Sequence, residues 1–239
     1  LDNPDADVEA LIRPFITDKT RVLYVISPNN PNGVVLTTVQ LEAIGRVATA
    51  HGLWLLSDEA YEHYAFARPH VSLASLPGLS ERTLSAFTFS KSYAMAGTRI
   101  GYVVGPEAAI AAMRKVATHS VYNVPAASQA AALAALESPP DFLAHARATY
   151  SDHARLVAST LAGFGHAAQG GSFMFLDLRK LGPSAMPVLE RAADRGVTLA
   201  PGELFGQAFP GYARLCYTAT DRATLSEGLL VLRDVLEAG

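Results

Sequence analysis

A chain of 239 residues that is 50 % hydrophobic and 17 % charged can bury a sizeable core, and its length fits one large domain or two small ones. A formal net charge of -3 argues against a polyanion-binding surface and so against nucleic acid as a partner, and no apolar run reaches the ~18 residues that would nominate a transmembrane helix. The single cysteine, Cys216, has no partner for an internal disulfide or a zinc pattern, which points to a reducing, cytoplasmic setting, and the opening LDNPDADVEA has neither the basic start nor the apolar core of a secretion signal.

The first apolar run is RVLYVI, followed by LWLLS, TLSAFTF and GYVVG. Between the first two, TTVQLEAIGRVATAHG opens on Thr37 and Thr38 as N-caps, sets Leu41, Ile44, Val47 and Ala48 on one face and stops at Gly52, which predicts a crossover helix. Apolar runs alternating with helical patterns predict an α/β domain with a mostly parallel sheet. After GYVVG the chain turns alanine-rich and predicts two helices, PEAAIAAMRKVATHS and PAASQAAALAALES, then a long one from about Asp141 to Leu161. Ser-Pro-Pro-Asp at 138–141 marks the boundary, so residues 1–140 and 141–239 are expected as separate domains. Beyond it GSFMFLDL, SAMPVLERAADRG, YARLCYTA and a closing helix from Leu225 to Leu236 predict a smaller α/β or α+β domain.

Three of the first four strands end in polar clusters, SPNNPNG, SDEAY and FSKSY. Ligands of open α/β sheets bind outside the carboxyl ends of the strands, so a shared site is expected there. Each cluster also has a plainer reading. Asn30-Pro31-Asn32-Gly33 is a good turn by itself, because Pro31 sets φ and Gly33 permits positive φ. Asp58-Glu59 could serve a magnesium ion, but no GxxxxGK[ST] loop accompanies it. Lys91 could be a solvated strand end. The seven histidines show no metal-ligand spacing and read as surface, turn or helix residues, Cys216 reads as a small core residue, and no metal is expected.

In order and spacing, SPNNPNG, SDEAY and FTFSKSYAMAGTRIGY together resemble the class I/II aminotransferases, a family of fold-type I pyridoxal-phosphate enzymes. They match its Asn-Pro-Thr-Gly turn, its Asp-x-x-Tyr, and its Schiff-base lysine followed eight residues later by an arginine. PGELFG at 201–206 and YARLCYTA at 212–219 carry the resemblance over essentially the whole chain. It implies pyridoxal 5'-phosphate as cofactor, held as a Schiff base on Lys91, whose freed amine would carry the proton between the substrate Cα and the cofactor's C4′ carbon. It makes Asp58 the partner of the ring nitrogen, Tyr61 a donor to the ring's phenolic oxygen, and Asn30 a contact of that oxygen and of the substrate carboxylate. Arg99, Ser90 and Thr88, the last standing where the family pattern has Ser or Gly, become phosphate contacts, and Arg214 the two-point partner of the substrate α-carboxylate. The alternative for Arg214 is a surface charge on an edge strand.

The implied activity is amino transfer between an α-amino acid and a 2-oxo acid in a homodimer, and MAGTRIGY and DEAYEHYAF look closest to aspartate, aromatic or histidinol-phosphate transaminases. A carbon–sulfur β-lyase of the same fold and a non-catalytic aminotransferase-like module or fragment are the alternatives. Family members carry, ahead of the Asn-Pro-Thr-Gly turn, an N-terminal arm, a glycine-rich loop opening a helix at the cofactor phosphate, and an aromatic residue that stacks on the ring. About thirty residues precede the turn here. The resemblance therefore spans the C-terminal three-fifths of a family chain, and the large-domain sheet is expected to be incomplete at its N-terminal side. Alone, this chain is expected to bind the cofactor weakly and to expose apolar surface.

Overall fold

The computed structural model describes residues 3, 5–139 and 141–238, so Pro140 of the expected Ser-Pro-Pro-Asp boundary and Leu1, Asp2 and Pro4 of the opening segment lie outside it. Two compact units result. One comprises Leu1–Pro28, Val35–His63 and Arg68–Ala144, the other Asn29–Val34, Tyr64–Ala67 and His145–Gly239. The division falls inside a helix and gives two short early segments to the later unit.

In chain order the first unit holds α1 (Val8–Ile12), β1 (Val22–Ile26), α2 (Thr38–Ala50), β2 (Trp54–Asp58), β3 (Thr83–Thr88), α3 (Phe89–Ser92), β4 (Gly101–Val104), α4 (Glu107–Ser120) and α5 (Ala126–Glu137). The sheet runs β1-β2-β3-β4. β1, β2 and β3 are parallel, with Tyr24 opposite Leu56, Ile26 opposite Asp58 and Asp58 opposite Ala86. A helical crossover suits the parallel β1–β2 step, whereas the short return through α3 brings β4 back antiparallel to β3. Alternation along the strands separates two faces. Val25, Leu55, Ser57, Thr83 and Ser85 are buried on one, while Val22, Tyr24 and Trp54 are exposed on the other.

α2 forms where the apolar spacing predicts it, and Leu41, Ile44, Val47 and Ala48 are all buried. Its start is a complete capping box: Thr37 Oγ1 accepts from Gln40 N at 3.2 Å and Gln40 Oε1 accepts from Thr37 N at 2.9 Å. The alanine-rich helices differ. α4 buries none of its residues and α5 buries Ala132.

α6 (Asp141–Thr160) leads from the first unit into the second, which continues with β5 (Phe173–Asp177), α7 (Met186–Asp194), β6 (Ala200–Pro201), β7 (Tyr212–Cys216) and α8 (Arg222–Glu237). The sheet order β5-β7-β6, antiparallel throughout, includes the two-residue β6 that hydropathy does not reveal. Val157, Leu176, Ala192, Ala213, Leu229 and Leu232 anchor the core of this unit. β7 is the middle strand, so the edge-strand alternative for Arg214 falls.

One expectation needs correction. Cys216 is exposed rather than in the core, because Ala213 and Leu215 take the buried face of β7 and the pleat sends Arg214 and Cys216 to the other. Among the histidines read as surface, turn or helix residues, His153 is a helix residue of α6 that is 3 % exposed, and its Nδ1 lies 2.9 Å from Tyr217 O, a backbone partner that satisfies the ring inside the core.

Gly33 closes the Asn-Pro-Asn-Gly turn at φ +69°, and a Cβ built there would stand 2.7 Å from Phe173 O and 2.8 Å from Ala168 Cβ. Its carbonyl accepts from Gln169 N and Gly170 N at 2.9 Å each. Glycine is therefore demanded twice, by the left-handed backbone and by the close approach.

Candidate active site

The first unit carries six of the expected residues, five of them at or just beyond strand carboxyl ends. Asp58 is the last residue of β2, and Tyr61 follows it buried in the turn. Thr88 ends the neighbouring β3, and Ser90 and Lys91 lie in α3, the single turn that opens there. The Lys91 Nζ stands 6.0 Å from the Tyr61 ring centroid. An amine from one strand end is thus brought beside an aromatic ring from the next.

Asp58 is held from two sides. Its Oδ1 accepts from Ala60 N at 3.1 Å, and its Oδ2 accepts from the hydroxyl of Tyr24 at 2.5 Å. Burial, this hydrogen bond and the charge of Asp58 push the Tyr24 phenol up to about 12. Tyr24 carries no motif, and only the strand register puts it on the face of Asp58.

Thr88 uses its hydroxyl locally: Oγ1 accepts from Ser90 N at 3.1 Å as the cap of α3 and lies 3.5 Å from Ile100 O. Arg99 is exposed, has a left-handed backbone at φ 52°, ψ 49°, and donates from Nη1 to Ala96 O at 2.8 Å. That conformation is uncommon for a non-glycine residue, and it caps the 3-10 turn Ala96–Thr98 just before β4.

Beside Asp58, Glu59 is 1 % exposed. Burial works to raise its pKa, yet hydrogen bonds from His70 Nε2 and Ser72 Oγ, both at 2.8 Å, hold it below the ordinary carboxylate range. Burial pushes Glu62 up to about 7 and His63 down, so this adjacent pair, 3.3 Å apart, leans towards its neutral form. Glu59, whose magnesium reading already fails in the sequence for want of a GxxxxGK[ST] loop, is a buried anchor of the strand end.

The second unit carries the other two residues. Arg214 Nη1 donates to Asn30 Oδ1 at 2.9 Å, and the guanidinium lies 4.0 Å from the Phe173 ring centroid and 4.7 Å from that of Phe205. Its Nε is buried without a hydrogen-bond partner. A guanidinium flanked by two rings, with a donor unused, is a fit for a carboxylate. The residues also suit pyridoxal phosphate, with an amine for its aldehyde, a fixed carboxylate for its ring nitrogen and an exposed arginine for its phosphate. Among the described residues, no group of three or more His, Cys, Asp or Glu could hold a metal ion, and no helix is long and apolar enough to cross a membrane.

Comparison with known proteins gives a consistent result. The family model described as aminotransferase class I and II matches residues 2–232. An arginine–pyruvate transaminase of Pseudomonas aeruginosa is 39 % identical over 209 residues, covering 85 % of this chain and 53 % of that protein. An aspartate/prephenate aminotransferase of Thermus thermophilus is 36 % identical, covering 91 % and 57 %. Among solved structures, the aromatic aminotransferase of Pyrococcus horikoshii superposes with a TM-score of 0.89 at 33 % identity, over 95 % of this chain and 62 % of that one. The chain thus spans little more than half the length of the curated relatives it matches, and corresponds to their C-terminal part.

Proposed function

Since the chain belongs to the aminotransferase class I and II family, we propose that it is part of a pyridoxal-phosphate-dependent aminotransferase that moves an amino group between an α-amino acid and a 2-oxo acid. The observation that carries the reading is the meeting of the Lys91 amine and the Tyr61 ring, at 6.0 Å, beyond adjacent parallel strands of which one ends on Asp58. In this reading residues 1–140 are part of the large cofactor domain and 141–239 form the interdomain helix and small domain. The resemblance also carries a homodimeric, cytoplasmic enzyme.

When bound, pyridoxal phosphate supplies an aldehyde for an amine and a ring that withdraws electrons from the substrate Cα. Lys91 would offer the amine and, when free, would carry the proton between that Cα and the cofactor's C4′ carbon. Asp58 would stand against the ring nitrogen and favour its protonated form. By the family resemblance, Tyr61 would donate to the ring's phenolic oxygen and Asn30 would contact it, and Thr88, Ser90 and Arg99 would hold the phosphate. Arg214 takes the substrate carboxylate as a bidentate pair, with Asn30 already orienting one of its nitrogens.

Borohydride reduction in the presence of pyridoxal phosphate is expected to fix the cofactor to Lys91, identified by peptide mass. Lys91→Ala should lose that adduct and reduce amino transfer by about 10²–10⁴-fold or more. An adduct that survives Lys91→Ala would place the cofactor elsewhere and remove the basis for the proposal.

A further inference from the structure

On the exposed face of the first unit's sheet, one side-chain bond has no part in the roles assigned above. Tyr24 stands at the centre of β1, opposite Leu56, and Asp58 follows two residues later on the same face of β2. The phenol reaches diagonally across to Asp58 Oδ2 at 2.5 Å while Ala60 N holds Oδ1. With one donor on each oxygen, the carboxylate cannot turn without losing a bond. Tyr24 remains a protonated donor through the physiological range, since its phenol is pushed up to about 12. Each carboxylate oxygen can accept a second hydrogen bond, so the arrangement leaves room for a further donor. At 58 % exposure the tyrosine is not needed to fill the core, and phenylalanine would cover the same apolar surface. The hydroxyl is the atom that requires explanation.

We propose that Tyr24 is a positioning residue that fixes the carboxylate of Asp58 in the orientation that receives a protonated heteroaromatic ring nitrogen. The inference rests on the aminotransferase reading and names a residue that the family motifs in this chain do not include. Tyr24 does not touch the reacting atoms. It acts through Asp58, by orienting its carboxylate with a donor that carries no charge of its own.

The test uses the 239-residue chain with Tyr24→Phe, Asp58→Asn and the double variant. In the cofactor-free chain carrying tyrosine labelled with carbon-13 at Cζ, the resonance lost in Tyr24→Phe should remain that of a neutral phenol at about pH 10.5 and move towards phenolate in Asp58→Asn. Titration with pyridoxal phosphate should show Tyr24→Phe weakening its affinity by about three- to tenfold, the scale of one hydrogen bond. It should also shift the pH midpoint of the cofactor's absorption band. Both effects should vanish in the Asp58→Asn background. A Tyr24→Phe chain that labels at Lys91 with parental affinity and parental band would overturn the role of Tyr24 and leave the aminotransferase reading intact. A parent chain that never labels at Lys91 would instead overturn that reading, and this proposal with it. A phenol unaffected by Asp58→Asn would show that the bond does not form in solution.

Discussion

Glu62 and His63 show how burial acts on single side chains beside the candidate site. Glu62 Oε2 is buried without a hydrogen-bond partner, and its pKa is raised from the ordinary 4.5 to about 7. The folded chain therefore holds a proton that the unfolded chain releases, and the stability linked to Glu62 is fully present below about pH 4.5 and is lost as pH rises to about 7. His63, held down by burial, has the opposite slope, because its folded form resists the proton that the unfolded form takes up. Glu62→Gln isolates the first effect. It should match the parent near pH 4 and be more stable by roughly 1–3 kcal/mol near pH 8, measured by denaturant unfolding at both values. A difference that does not change with pH would mean that Glu62 titrates normally.

At the scale of elements, local chemistry places the helices and strand pairing places the site. The capping box of Thr37 and Gln40 satisfies two donors that the first turn of α2 would otherwise leave open. Gln40 Nε2 also donates to Asn3 O at 3.2 Å, tying the opening segment to the helix. Thr37→Ala is expected to cost about 1 kcal/mol in chemical unfolding, and Thr37→Ser to restore most of it. Equal losses in the two variants would show that the hydroxyl does not cap. Asp221 does the same for α8, accepting from Thr224 N at 2.9 Å. β7 illustrates the limit of local reading. Its alternation is plain, yet it is the antiparallel pairs on both sides that make it central and bring Phe173, three residues after Gly170, beneath Arg214.

For the whole molecule, exposed apolar surface is the dominant feature. Tyr122 is 82 % exposed, Val116, Val121, Leu133 and Leu136 are exposed along the alanine-rich segment, and both β1 and β4 are edge strands of the first unit's sheet among the described residues. Surface of this kind binds apolar partners and invites strand-to-strand pairing. The 239-residue chain in dilute buffer should bind an apolar fluorescent dye, and its mass by light scattering should rise with concentration. Val116→Glu combined with Tyr122→Asp should reduce both. A monomer that leaves the dye dark at all concentrations would contradict this expectation.

Much of this was legible in the chain itself, wherever the cause lies within a few residues. Short apolar runs located the strands of the first sheet, the spacing from Leu41 to Ala48 located α2 and its buried face, and Gly33 announced a turn that only glycine can close. The ordered motifs also named the family, because Asn30, Asp58, Tyr61, Lys91 and Arg99 recur at fixed distances along the sequence. Other features depended on residues far apart. Tyr24 meets Asp58 across 34 positions, His153 finds Tyr217 across 64 and Arg214 finds Asn30 across 184. No local pattern encodes such pairs, since they follow from strand register and from which face of each element the core takes. Cys216 makes the same point in reverse: its apolar neighbours suggested burial, but the pleat that buries Ala213 and Leu215 turns it outward, and only the packed sheet decides which side that is.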